Sequence, residues 1–202
     1  MKTNYTHLIL VLDASGSMLH LQDATIEGIN SLVEKQQAEP GELTTALYTF
    51  NQGVREVQKF ETLNRMNYCP SGSTALLDAV CIAIHNEGKT LAAKKEADRP
   101  DKVVVVVDTD GEENASSRYK LEDLQALVEQ QKAQYNWQFV FLGANIDAFA
   151  EGSKYGFALN STMQYDPTAN GVFTKYAAVM TSVASYRSGV TASVDLTNKT
   201  VK

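Results

Sequence analysis

The hydrophobic pattern of the chain switches repeatedly between two periods. Residues 8–12, 103–107 and 139–142 are unbroken apolar runs, and each stops at a polar or small residue: Asp13, Asp108 and Gly143. Runs of this length read as strands buried on both faces. Between them, apolar positions recur at helical spacing. Leu21, Ile26, Ile29, Leu32 and Val33 precede Pro40 and Gly41, Leu77, Val80, Ile84 and Leu91 precede Pro100, and a further helix is expected over 121–134. Residues 43–50 are β-branched and aromatic, and 54–60 alternate apolar and polar after Asn51-Gln52-Gly53, predicting an antiparallel hairpin at a sheet edge. A short helix over 146–152, a brief strand over 163–165 and a last helix over 172–186 complete the pattern; Phe173, Tyr176, Val179, Met180, Val183 and Tyr186 of that helix read as core packing. Strand and helix thus alternate almost throughout, which predicts an α/β fold: a doubly wound, mostly parallel sheet with helices on both faces.

At 202 residues, the chain is long enough for one such unit, expected over 1–188, with 189–202 as a polar, frayed tail. A formal charge of −6 argues against nucleic acid as a partner, because that affinity comes from basic residues that release counterions from phosphates, and it suits cation binding. No apolar stretch is long enough to span a membrane, and no cationic segment followed by an apolar run opens the chain, so the expected setting is the cytoplasm. Cys69 and Cys81 have no metal-type spacing and read as reduced packing residues. His7, placed before the first strand, His20 and His85 read as surface or packing histidines.

The candidate chemistry sits where apolar runs end. Asp13, Ser15 and Ser17 follow the first run, an arrangement that equally fits side chains capping the helix that starts near Met18. Two further segments change the weighing. Gly72-Ser73-Thr74 delivers a hydroxyl at a helix start, and Thr109-Asp110-Gly111 delivers a carboxylate at the end of the most buried strand. In a parallel sheet all three meet at one edge, where ligands of such sheets bind. Two carboxylates and three hydroxyls, without histidine or cysteine, make a hard oxygen set that selects Mg²⁺ or Mn²⁺ over zinc or copper.

The set DASGSM, GSTALLDA and TDGEEN resembles the metal-ion-dependent adhesion site (MIDAS) of the von Willebrand factor A (vWA) domain family, over roughly residues 5–187. The resemblance implies a six-stranded, Rossmann-like sheet with one antiparallel edge strand. It matches Asp13 and Asp110 to the family's two acids, Ser15 and Ser17 to its serines and Thr74 to its loop threonine. It further implies a Mg²⁺ (or Mn²⁺) ion whose open position is filled by an aspartate or glutamate from a partner protein. The expected protein is a non-enzymatic, monomeric, stand-alone binding module of the kind that bacteria and their viruses encode, and larger relatives work beside ring-forming ATPases of the AAA type.

Asp108 departs from the family pattern, which shows an apolar residue there. Strand alternation sets it on the face of Asp110, and three readings stay open: an outer acid that tunes the site, a third near-ligand, or a buried carboxylate satisfied by backbone and helix N-termini. The rival function is a phosphatase of the haloacid-dehalogenase type, with Asp108 as nucleophile and Asp110 as general acid beside Mg²⁺. Against it, the Asp-x-Asp lies mid-chain and Glu112 and Glu113 follow where a hydroxyl is expected. Those glutamates read as a solvated loop, while Asn114, Asn145 and Asp147 fall near the same sheet edge.

Overall fold

The computed structural model describes residues 1–56 and 62–197. The sheet is ordered around β1 (Lys2–Asp13), with β2 (Glu42–Phe50) on one side and β4 (Pro100–Thr109) on the other, both parallel to it. The antiparallel β3 (Val54–Glu56) closes one edge, and the parallel β5 (Gln138–Gly143) and β6 (Thr162–Gln164) extend the other, giving the order β3-β2-β1-β4-β5-β6. The helices are α1 (Gln22–Ala38), α2 (Leu76–Ala92), α3 (Leu121–Tyr135), α4 (Ala148–Lys154) and α5 (Ala169–Arg187). Six strands, five of them parallel, match the expected architecture. The rest of the predicted hairpin strand, 57–60, lies outside the described residues.

Period-two alternation divides the buried strands between two cores. Leu8, Leu10 and Leu12 with Val104 and Val106 pack against Ile29 and Leu32 of α1 and Val179 and Val183 of α5. Ile9 and Val11 with Val105 and Val107 pack against Val80 and Ile84 of α2 and Leu124 and Val128 of α3. The all-valine run is therefore covered on both faces, which is why it shows no polar alternation. On the first face α1 and α5 touch closely at Gly28, where a Cβ would lie 2.2 Å from the Tyr176 ring.

Three expectations are corrected. β1 starts at Lys2, six residues before the apolar run, because Asp101 accepts the Asn4 and Tyr5 N–H groups and keeps the polar start of the strand paired. His7 consequently lies inside β1, 6% exposed, with Nε2 2.9 Å from Glu87 Oε2 and Nδ1 2.8 Å from Thr44 Oγ1. Cys69 is exposed and only Cys81 is a packing residue; both are free thiols. The third concerns the tail. Up to Leu196 it returns to the body: Val194 is buried, Ser182 Oγ bonds both the N–H and the carbonyl of Asp195, and the Leu196 N–H donates to the Asn160 carbonyl. Residues 198–202 lie outside the described residues. Among the described residues no helix is long and apolar enough to cross a membrane.

Candidate functional site

The sheet reverses its winding at β1, whose chain neighbour β2 lies on one side while β4 lies on the other. The crevice beyond the carboxyl ends of β1 and β4 is therefore the topological switch point, the usual ligand position in an open α/β sheet. Asp13 closes β1 there, and Thr109 closes β4. Both point toward the α2 side, the face of Val11 and Val107, and the Thr109 hydroxyl donates to Asp13 Oδ2 at 2.6 Å. The other Asp13 oxygen accepts the Ser15 N–H at 2.7 Å, which turns the chain out of the strand.

After that turn, residues Gly16–Leu21 form a 3-10 helix that leads into α1. Neither helix start is capped by a side chain. The serines are used otherwise: Ser15 Oγ and Ser17 Oγ are 3.0 Å apart, and Ser17 Oγ donates to Asp110 Oδ1 at 2.6 Å. Simple helix capping therefore does not account for Ser15 and Ser17.

Thr74 arrives from the third side. Its loop is held against the first by Gly16 N–H to the Gly72 carbonyl and Ser71 N–H to the Ala14 carbonyl. Gly72 has φ +77°, a left-handed conformation that glycine adopts without the strain a side chain would bring. A point built as the Cβ of Gly111 lies 3.6 Å from Thr74 Oγ1 and 4.0 Å from Ser17 Oγ, so both hydroxyls border Gly111. All five expected residues thus gather at one crevice. Asp13, Ser15, Thr74 and Asp110 are buried, and Ser17 is exposed.

One atom at this site lacks a partner among the described residues. Asp110 Oδ2 is buried without a hydrogen bond, an expensive arrangement for a carboxylate oxygen unless something else meets it. Burial drives the acid chemistry in the same direction. It pushes the Asp13 carboxyl up to about 6, against the hydrogen bonds from Thr109 and Ser15, with the Asp110 charge adding to the rise. Burial also lifts Asp110 above the usual carboxylate range, with the Ser17 hydroxyl opposing and the Asp108 charge adding. Among the described residues no group of three or more His, Cys, Asp or Glu side chains forms a conventional metal cluster, so any cation here must use hydroxyls beside two acids. The donor set and the orphaned oxygen fit a hard divalent ion.

A pH dependence follows. A carboxyl raised to about 6 in the folded protein, against 3.8 as its ordinary value, contributes stability that is fully present below 3.8 and lost as the pH rises through about 6. In metal-free protein, urea unfolding of wild type and Asp13→Asn compared between pH 4 and 7 is expected to show wild type losing on the order of 2 kcal/mol relative to the variant as pH rises. Parallel curves would refute the assignment.

The loop between β4 and α3 holds residues that sequence reasoning passed over. Glu113, expected in a solvated loop, accepts the Leu77, Ala115 and Ser116 N–H groups and the Ser116 hydroxyl. It serves the open N-terminus of α2, where N–H groups lack partners. Asn114 Oδ1 accepts the Thr74 N–H, and the Thr74 carbonyl accepts the N–H groups of Asn114 and Ala115. Asp78, 5% exposed in the first turn of α2, accepts the N–H groups of Ser117, Arg118 and Tyr119. The exposed Asn145 lies just past β5, and Asp147 caps α4 through the Ala150 N–H.

Asp108 is fully buried on the opposite face, that of Val104 and Val106. Its Oδ1 is 2.7 Å from Lys175 Nζ, and its Oδ2 accepts the Tyr176 hydroxyl. The expectation that it shares a face with Asp110 fails because β4 ends at Thr109, and alternation does not extend past the strand. It is a satisfied buried carboxylate, with α5 side chains as partners instead of backbone groups. Lys175 was not singled out, since a lysine within an apolar stripe carries no signal of its pairing.

No family model and no curated protein matches the sequence. Solved structures do. Proximal thread matrix protein 1 from the mussel byssus matches at TM-score 0.64 with 16% identity over 89% of this chain and 48% of its own. The same mussel protein with a zinc-occupied MIDAS motif matches at 0.62 with 15% identity, again over 89% and 48%. Manganese-loaded Plasmodium vivax TRAP protein matches at 0.57 with 16% identity over 86% and 72%, and a von Willebrand factor type A structure from Catenulispora acidiphila at 0.58 with 13% identity over 91% and 43%. The chain spans about half the length of the mussel protein. Strand order, the single antiparallel edge strand and these likenesses agree: the fold is that of a von Willebrand factor A domain.

Proposed function

We propose that this protein is a divalent-cation-dependent protein-binding module. The observation that carries the reading is the buried Asp110 Oδ2, which has no partner among the described residues, at a crevice gathering Asp13, Ser15, Ser17 and Thr74. These five residues would hold the ion, and the neighbours with zinc or manganese bound support a divalent cation. Oxygen donors without nitrogen or sulfur favour Mg²⁺ or Mn²⁺ as the resident ion. When bound, the cation supplies a Lewis-acidic charge that an incoming anionic group can meet. This chain's residues do the rest. Two acids no more than balance the charge of a dication, the hydroxyls of Ser15 and Ser17 add only neutral oxygens, so the occupied site does not turn negative, and Thr109 keeps Asp13 oriented. An aspartate or glutamate of a protein partner is the ligand this arrangement suits.

Large apolar side chains lie exposed nearby in the chain. Leu19, two residues after Ser17, is 60% exposed, and Phe149, in the α4 turn that follows β5, is 44% exposed. Such residues favour a protein partner over a small anion. Against the phosphatase reading, Asp108 is fully buried and engaged by Lys175 and Tyr176.

The test is calorimetric titration with Mn²⁺ and Mg²⁺, followed by capture from native lysate with and without chelator. One ion per chain at a Kd of about millimolar or tighter, and a captured protein that chelator releases, is the expected result. No uptake by wild type at millimolar cation would overturn the reading.

A further inference from the structure

Asp108 and Lys175 lie fully buried behind the crevice, on the α5 side of the sheet, with 2.7 Å between carboxylate and ammonium. Asp108 is the chain neighbour of Thr109, whose hydroxyl holds Asp13 and whose carbonyl faces the Tyr165 hydroxyl at 3.5 Å. The Lys175 ammonium sits 3.6 Å from the centre of the Tyr165 ring and 4.8 Å from that of Tyr176, so aromatic faces enclose its remaining sides. Tyr68, also buried, donates to the Asp13 carbonyl at 2.7 Å. Acid, ammonium and three tyrosines thus form one buried layer beneath the strand ends that carry Asp13 and Asp110.

A buried ion pair is a costly way to fill a core. Well-packed apolar residues of the same volume often hold a fold equally well, so the pair invites a functional account. Charge supplies it. Asp13 and Asp110 face the crevice and Asp108 lies behind it, on the other side of the sheet, and in a low-dielectric interior the charge of each acts on a dication at several ångströms. We propose that Lys175 is a positioning residue that neutralises Asp108, so that the bound cation meets the charge of two acids instead of three and the occupied site stays formally neutral, open to an anionic partner, instead of turning negative. Burial lowers the Lys175 ammonium below its ordinary value, and the charge of Asp108 first, then those of Asp110 and Asp13, oppose that fall. The inference rests on the cation-site reading above and gives Asp108 a role outside the ligand set.

The experiment is calorimetric titration of Mn²⁺ alone into wild type, K175M, K175R, D108N and the double variant D108N/K175M, with urea unfolding of each. Removing the ammonium leaves an uncompensated acid, so K175M takes up Mn²⁺ about tenfold more tightly, whereas D108N takes it up about tenfold more weakly. The double variant and K175R bind within about twofold of wild type. A purely structural pair would change the unfolding midpoints and leave all Mn²⁺ affinities equal, which overturns the proposal, as does weakening in both single variants. Should K175M fail to fold, weak binding by D108N and its recovery in the double variant support the proposal, and equal binding in the two overturns it. Wild-type uptake with a flat series rejects the charge-setting role alone, whereas no uptake by wild type rejects the cation site itself.

Discussion

Replacing Asp13 by alanine is expected to weaken Mn²⁺ uptake by about 100-fold or more and to leave the fold intact. The size of the loss follows from charge. Asp13 is one of two acids facing the crevice, and it also orders the turn through the Ser15 N–H and the strand end through Thr109. Removing it takes away half of the negative charge and loosens the loop that presents Ser15 and Ser17. The fold survives because Asp13 is an unfavourable group in metal-free protein: burial raises its carboxyl to about 6, so its ionised form at neutral pH opposes folding. Thr109 Oγ1 already has a second acceptor in the Gly111 carbonyl at 3.0 Å, so alanine does not orphan the hydroxyl. Calorimetry with Mn²⁺ and urea unfolding check the two halves. Equal Mn²⁺ uptake by wild type and variant would refute the site, and loss of the native fold would show that Asp13 is needed for structure.

The parts of this site that were legible in sequence are those in which the chain itself places a residue at a strand end. Asp13 follows LILVL and Asp108-Thr109-Asp110 follows five valines, so composition alone marks where the buried strands stop. Thr74 was legible because Gly72 signals a loop and the apolar period restarts after it. What alternation could not supply was direction once the strand had ended. Asp108 and Asp110 are two residues apart, yet one is fully buried against α5 and the other bonds Ser17, because the chain leaves the sheet at Thr109. Partners distant in sequence were likewise silent. Lys175 is 67 positions from Asp108, and nothing in its local surroundings distinguishes a buried ammonium from a solvated one. Glu113 reads as a loop glutamate until the N-terminus of α2 is seen beside it. The apolar run marks a strand start after His7, whereas the backbone ladder pairs His7 with Thr44 of β2 and Val103 of β4.

Asp78→Ala is expected to cost about 3 kcal/mol of stability, and to weaken Mn²⁺ uptake although Asp78 is not among the five residues of the crevice. Its two oxygens accept the N–H groups of Ser117 at 3.0 Å, Arg118 at 3.0 Å and Tyr119 at 2.9 Å, and among the described residues those three amides have no other acceptor. Hydrogen bonds from backbone N–H to a carboxylate exceed neutral ones in strength, and truncation takes the acceptor from three donors, those of the exposed Ser117 and Arg118 and the partly buried Tyr119. The position adds a smaller term, since an acid in the first turn of α2 complements the helix dipole. The loop concerned is the one that leaves Asp110 and returns past Thr74 through Asn114. Untethering its far end lets Asp110 and Thr74 separate, so the loss of stability and the loss of cation affinity share a cause. Asp78→Asn keeps an acceptor oxygen and is expected to fall between wild type and alanine in both. Urea unfolding with and without Mn²⁺, together with hydrogen exchange at the amides of 117–119, reads the effect directly. A loss under about 1 kcal/mol with unchanged exchange would mean that the loop holds its shape without Asp78.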